Sequence, residues 1–232
     1  MSENAQGVWV VSGTSRGIGL AMVRALLERG TPVLAIYRDK PGNALSEIAE
    51  QDERLSLLRW DLVHPADPTA IEQVVQAPVE VLFCNAGVFG PQPGNLQDKE
   101  FDGMRHAFDV NALGTLRMIE AFLPWMKEAD WPRIAAVTSL LGTMPRSGPG
   151  ALGYRMSKAA LNVAMVSLAH ELKPLGVTTV CLRPGWVKTQ MGGPNGKMSP
   201  MDSARVMLSV MDNLDRQAGP QLLDTDGSVL PW

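Results

Sequence analysis

Cysteine and histidine are scarce in this chain, and their scarcity narrows what it can be. There are two cysteines, Cys84 and Cys181. Both fall inside apolar strand-like runs, so reduced, buried thiols are expected rather than a disulfide framework. The three histidines, His64, His106 and His170, are scattered. No Cys, His and carboxylate set has metal-ligand spacing, and no metal is expected. An excess of one charge is missing too: 21 Lys and Arg stand against 24 Asp and Glu, a net charge of −3. That balance gives no electrostatic case for nucleic acid or an anionic membrane. No apolar run approaches the roughly 18 residues of a bilayer span. The segment from Met1 to Gln6 has neither the basic start nor the apolar stretch of a signal peptide, and a cytoplasmic protein is expected. Repeats, low-complexity tracts and linkers are lacking as well, so the 232 residues suit one domain over 1–232.

What is present is a regular alternation of strand-like and helix-like stretches. Apolar runs predict strands over 8–11, 33–37, 55–60, 79–84, 133–137, 177–182 and 221–223. Between them, helical periodicity covers 18–29, 44–51, 68–76, 101–128 with a break near Asn111, 154–173 and 201–213. Strands and helices alternating at this spacing predict an α/β fold with a doubly wound, Rossmann-type parallel sheet. Ligands then bind beyond the carboxyl ends of the strands. Gly13, Arg38, Asp61, Asn85, Ser139 and Pro184 each follow an apolar strand and would gather along one edge.

The run from Ser12 to Gly19 places Gly13, Gly17 and Gly19 between a strand and a helix. Glycine lets the backbone turn tightly against a pyrophosphate, and the helix N-terminus offers free N–H groups. The spacing departs from the usual Gly-x-Gly-x-x-Gly fingerprint. At the end of the second strand, where an NAD site places an acidic residue, stand Tyr37 and Arg38. Arg16 lies in the glycine turn. Two guanidiniums suit a 2′-phosphate, which favours NADP(H). Asp61 can accept a hydrogen bond from an adenine amino group, and Asn85-Ala86-Gly87 lets the chain pass close to a cofactor. Tyr154 and Lys158, four apart on a helix, project from the same face. An ammonium beside a phenol favours the phenolate and lowers its pKa towards the range of general acid–base catalysis. The methionines Met191, Met198, Met201, Met207 and Met211 suit either helix packing or an adaptable lid.

Taken together, Gly13/Gly17/Gly19, Asn85-Ala86-Gly87, Asn111, Ser139, Tyr154 with Lys158, and Pro184-Gly185 with Thr189 resemble the short-chain dehydrogenase/reductase family from about Val8 onward. The stretch from Pro184 to Gly193 and the end from Asp226 to Trp232 are similar to its small C-factor-like carbonyl reductases. The resemblance implies an NADP(H)-dependent oxidoreductase interconverting a carbonyl and an alcohol. Tyr154 would protonate the carbonyl oxygen, Lys158 would lower the Tyr154 pKa and hold the nicotinamide ribose, Ser139 would orient the carbonyl, and Asn111 would break its helix to hold a relay water. Ser15, Arg16, Ile18, Leu62, Pro184, Gly185, Val187 and Thr189 would join the residues already named along the cofactor. Three departures are visible: Ser12 replaces a common threonine, Cys84 replaces the first asparagine of Asn-Asn-Ala-Gly, and the Ser139–Tyr154 loop is slightly long. A Tyr-to-Lys spacing of four argues against the family's enoyl reductases. A substrate lid over about 188–215, an apolar small-molecule substrate, and packing of the apolar helices into a homodimer or homotetramer complete the expectation. The alternatives are a cofactor-binding signalling protein of the C-factor type and a reductase of C=N bonds.

Overall fold

A computed structural model describes residues 7–91 and 100–232. Within them the strands are β1 (Val8–Ser12), β2 (Val33–Tyr37), β3 (Leu55–Arg59), β4 (Val79–Cys84), β5 (Arg133–Val137), β6 (Thr178–Leu182), β7 (Leu222–Leu223) and β8 (Val229–Leu230). They form one sheet in the order β3-β2-β1-β4-β5-β6-β7-β8. Pairing is parallel as far as β7, and β8 closes the edge antiparallel to β7. The strand order reverses direction between β1 and β4, which is where such sheets open a ligand crevice.

Every residue of β5 and β6 is buried, as expected of strands covered on both faces. Successive side chains go to opposite sides. Trp9, Val11, Val81 and Phe83 meet α1 (Gly17–Glu28) and α7 (Pro200–Asp212). Val10, Leu82, Cys84 and Ala136 meet α5 (Gly114–Met126) and α6 (Leu152–Leu172) on the other face. The remaining helices are α2 (Asn43–Gln51), α3 (Pro68–Val74) and α4 (Phe101–Phe108). Local sequence fixes their starts: Asp67 accepts the N–H groups of Thr69 and Ala70 at 3.0 and 3.3 Å, with Pro68 at the first helical position. Ser199 and Asp202 form a capping box for α7.

The break near Asn111 is a π-helical turn, Asp109–Leu113, joining α4 to α5. Three details differ from expectation. Strand β8 was not foreseen, because two residues carry no readable alternation. The loop over 142–153 is partly structured: short 3-10 turns cover Leu140–Gly142 and Met144–Arg146, and α6 begins at Leu152. Of the stretch 188–215, the helical part is core rather than cover, since Ala204, Met207, Leu208 and Met211 are buried beside α1. Part of the Gly/Pro-rich loop at 88–94 falls beyond Pro91, outside the described residues. No helix among the described residues is long and apolar enough to cross a membrane.

Candidate active site

The crevice is built first by the ends of β1 and β4. The Ser12 hydroxyl accepts the N–H groups of Asn85 and Ala86 at 3.1 and 3.0 Å, and the Asn85 amide donates back to the Ser12 carbonyl at 2.9 Å. This stitching leaves no room for side chains. Gly13 has φ +70°, and a Cβ there would lie 2.9 Å from the Ala86 Cα. A Cβ on Gly19 would sit inside contact distance of the Gly13 carbonyl oxygen and 2.8 Å from Asn85 Nδ2. Helix α1 therefore enters tightly against the turn. Arg16 is its N-cap but makes no side-chain capping bond, and no acidic residue occupies the first turn. The first N–H groups of the helix are left for an anion.

Beside this turn, Tyr37, Arg38, Asp61 and Leu62 face Gly13 and Ala86 across one cleft, with Val110 of the π turn as a wall. Val110 had no sequence signal. Ser15 donates to the Lys40 carbonyl at 2.9 Å, Ile18 packs onto the core, and the Leu62 carbonyl accepts from Arg117 at 2.8 Å. One oxygen of Asp61 accepts from the Val63 N–H at 3.3 Å. Arg38 is engaged with its neighbour Asp39 at 2.6 Å, both side chains being exposed. Exposed pairs of this kind are worth at most about 1 kcal/mol, so the guanidinium can exchange this partner for a phosphate. A turn closed to Cβ atoms, an uncapped helix N-terminus and a flanking cleft fit a dinucleotide.

At the other end of the crevice, Gly17 (φ +59°) faces Thr189: a Cβ there would lie 3.4 Å from the threonine methyl. Thr189 also accepts the Gly192 N–H at 3.0 Å. Val187 is buried, the Pro184 carbonyl accepts from Ser203 of α7 at 2.6 Å, and a Cβ on Gly185 (φ +80°) would meet the Met198 sulfur at 2.6 Å. The segment after β6 is thus tied down at both ends.

Between these two regions lie Ser139, Tyr154, Lys158 and Asn111. Ser139 lies two residues past the end of β5 and caps the following turn by accepting from Leu141 at 3.1 Å. Tyr154 and Lys158 share the inner face of α6 and are buried. Gly87 closes the floor, and a Cβ there would lie 3.1 Å from Asn111 Oδ1 and 3.7 Å from Lys158 Nζ. The Asn111 side chain holds both main-chain groups of Val88, at 2.8 and 2.9 Å, and donates to the Ser157 hydroxyl at 2.9 Å. Its side chain is thus spent on scaffolding, and its main-chain carbonyl accepts from the Thr115 hydroxyl at 3.4 Å. Ser157 is a site residue that sequence reasoning passed over, although its place between Tyr154 and Lys158 could have suggested it.

The electrostatics correct one expectation. Lys158 does not hold the phenol of Tyr154 down. Its Nζ is 5.9 Å from the tyrosine ring centroid and donates to the Val137 carbonyl at 2.7 Å. Burial instead pushes the Tyr154 phenol above its ordinary value, with a hydrogen bond from Ser139 working in the opposite direction. Burial also pulls Lys158 down to about 8, against the thiols of Cys181 and Cys84. Those thiols are themselves pushed up to about 12 by burial.

A stability prediction follows from Lys158. The unfolded lysine holds its proton up to about pH 10.4, while the folded one releases it near 8. Between these values the unfolded chain binds more protons, so the Lys158 contribution to stability rises with pH there; below pH 8 the full cost of burying the charge remains. The urea-unfolding free energy of the wild type, taken relative to Lys158→Met at each pH, should therefore climb across this window by roughly 3 kcal/mol at most. The common reference cancels most of the thiol titration. A flat difference would mean that the ammonium keeps its hydration.

Comparison with known proteins agrees with this construction. The family described as short chain dehydrogenase matches residues 7–199. C-signal from Myxococcus xanthus is 43% identical over 160 residues, covering 68% of this chain and 96% of that protein. The NADPH-bound carbonyl reductase from chicken fatty liver superposes with a TM-score of 0.87 at 29% identity, covering 98% of this chain and 99% of that one. A carbonyl reductase from Pseudomonas aeruginosa PAO1 in complex with NADP gives a TM-score of 0.86 at 29% identity, covering 98% and 100%.

Proposed function

The chain belongs to the short-chain dehydrogenase/reductase family, an oxidoreductase family, and from that premise we propose that it is an NADP(H)-dependent carbonyl reductase. The observation that carries the proposal is the meeting of Ser139, just past β5, with Tyr154 and Lys158 on α6, beside a glycine turn that fits a dinucleotide. The NADP-bound carbonyl reductases of the same fold support the cofactor.

A bound nicotinamide dinucleotide supplies the hydride equivalent. The chain's own residues do the rest. Ser139 donates a hydrogen bond to the substrate carbonyl oxygen, where negative charge develops, and a placed donor stabilises that charge. Tyr154, kept protonated by burial, gives its proton to the same oxygen. Lys158, anchored on Val137, presents its positive charge to the ribose side of the pocket. A water held on the Asn111 carbonyl would pass a proton from solvent back towards Tyr154, and Thr189, Val187 and Gly185 would frame the nicotinamide end. The half-exposed Trp186 and the loop 188–199 form the lid over an apolar substrate.

The 2′-phosphate assignment rests on Arg38 and Arg16. Losing a charged hydrogen-bonding partner costs about 1.5–3 kcal/mol. Arg38→Ala should therefore weaken NADPH binding by roughly 10- to 100-fold and leave NADH nearly unchanged, as read by nicotinamide fluorescence. Equal losses for both would remove Arg38 from the phosphate site. Oxidation of NADPH by a panel of apolar ketones and aldehydes, with C=N compounds included, tests the activity itself.

Phe101 and Phe108 on α4, Leu113, and Met156 and Val163 on α6 are exposed, and 156 and 163 fall on one face of the helix. We assign this surface to a homodimer or homotetramer contact in a cytoplasmic enzyme. Gel filtration with light scattering should give a multiple of 25.1 kDa, and a clean monomer would sink the assignment. The similarity to C-signal favours one further reading, a cofactor-binding signalling protein. Tight NADPH binding with no turnover on any carbonyl would support it.

A further inference from the structure

We propose that Phe89 is a positioning residue for Tyr154: its ring lies flat on the phenol, excludes water from one face, and holds it as a proton donor aimed at the substrate. The two ring centroids are 4.6 Å apart with planes inclined by 15°, a stacked arrangement. Stacking of this kind, offset and face to face, is favourable beyond simple burial.

The contact is built in. Val88, the preceding residue, has its N–H and its carbonyl both bound by the Asn111 side chain. Asn111 then donates to Ser157, and Ser157 donates to the Tyr154 carbonyl at 2.8 Å. A chain of hydrogen bonds thus runs from the backbone beside Phe89 to the backbone of Tyr154. On the other side, Gly90 takes φ +71°, and a Cβ there would lie 3.1 Å from the Ala107 Cβ. That left-handed turn directs Phe89 inward and suits glycine. Phe89 is therefore held from both neighbours.

The effect on the phenol follows from what faces it. Lys158 is the charged group of α6 that shares the inner face with Tyr154 and is turned onto Val137, and Ser139 supplies a hydroxyl from just past β5. Arg155 points outward to the carbonyls of Arg146 and Gly150. On α4, Asp102 and Arg105 pair with each other in solvent and His106 is exposed. Cys84 and Cys181 lie beneath Lys158 as protonated thiols. Among the described residues no anion faces the ring, and the Lys158 ammonium, 5.9 Å from its centroid, is turned onto the Val137 carbonyl, so the hydrocarbon cover decides, and it favours the neutral phenol. A neutral phenol serves reduction of a carbonyl better than oxidation of an alcohol. This last step rests on the carbonyl-reductase reading, whereas the contact itself does not.

The chain has two tyrosines, which makes a direct test possible. In a Tyr37→Phe background, Tyr154 alone reports phenolate in ultraviolet absorbance, with neither cofactor nor substrate present. Its midpoint should lie above the ordinary value of about 10. Adding Phe89→Leu should shift it downward, and should move the Tyr154 ring-proton NMR resonances downfield as the ring current is removed. The NMR shift is read at neutral pH, so alkaline unfolding does not obscure it. An unchanged midpoint with unchanged resonances overturns the proposal. If both shifts appear but no carbonyl is ever reduced, the functional reading fails and Phe89 remains the residue that positions the phenol.

Discussion

Tyr154→Phe should lower the rate of carbonyl reduction by about 10²–10⁴-fold, the usual contribution of a placed proton donor. NADPH affinity should stay within a few-fold of the wild type. The change removes one oxygen atom and leaves the ring between Phe89 and Lys158, so packing and the Val137 anchor of Lys158 are kept. Ser139 still offers its hydroxyl to the carbonyl, which leaves some residual rate. Steady-state turnover with any carbonyl found in the screen, together with nicotinamide fluorescence for binding, separates the two effects. A loss of less than tenfold would move the acid role away from Tyr154.

Gly19→Ala should be a destabilising change at a position where the ordinary rule says otherwise. Alanine in place of a helical glycine normally gains about 1 kcal/mol. Here the new methyl group would press on the Gly13 carbonyl oxygen and on Asn85 Nδ2, both parts of a stitched backbone that cannot retreat. A loss of about 2–4 kcal/mol in unfolding free energy is expected, with NADPH binding weakened because the turn must open. Gly219, which has nothing within 4 Å of a built Cβ, is the control: Gly219→Ala should leave stability nearly unchanged. If Gly19→Ala were as stable as wild type in urea, the close approach of α1 to the turn would be wrong.

Much of this site was legible in the chain because buried parallel strands write themselves as apolar runs, and the chemistry sits where each run stops. Gly13, Asp61, Asn85 and Ser139 could be placed along one edge for that reason alone. The spacing of Tyr154 and Lys158 put them on one face of a helix, and they are there. What spacing could not say is where the ammonium points, since its partner is a main-chain carbonyl of β5 that carries no sequence mark. Phe89 was passed over for a similar reason: it sits in an aperiodic loop, and its partner is 65 residues away in the chain. The break at Asn111 was visible, but its π-helical form was not, because i→i+5 bonding has no compositional signature. The methionines after β6 allowed two readings, and Met207 and Met211, four apart on α7, proved to be core.

The two buried thiols under Lys158 have a use of a different kind. Cys84 pairs with Ala136, and Ala136 pairs with Cys181, so the cysteines stand two strand spacings apart. At about 4.8 Å per spacing their Cα atoms are farther apart than the ~7 Å that a disulfide can bridge. Oxidants therefore cannot staple the sheet, and the raised thiol values leave almost no thiolate to react. A thiol reagent gains access only when the middle of the sheet comes apart. The pair is a built-in clock: the speed at which it is modified in the native protein records how often the floor of the active site opens.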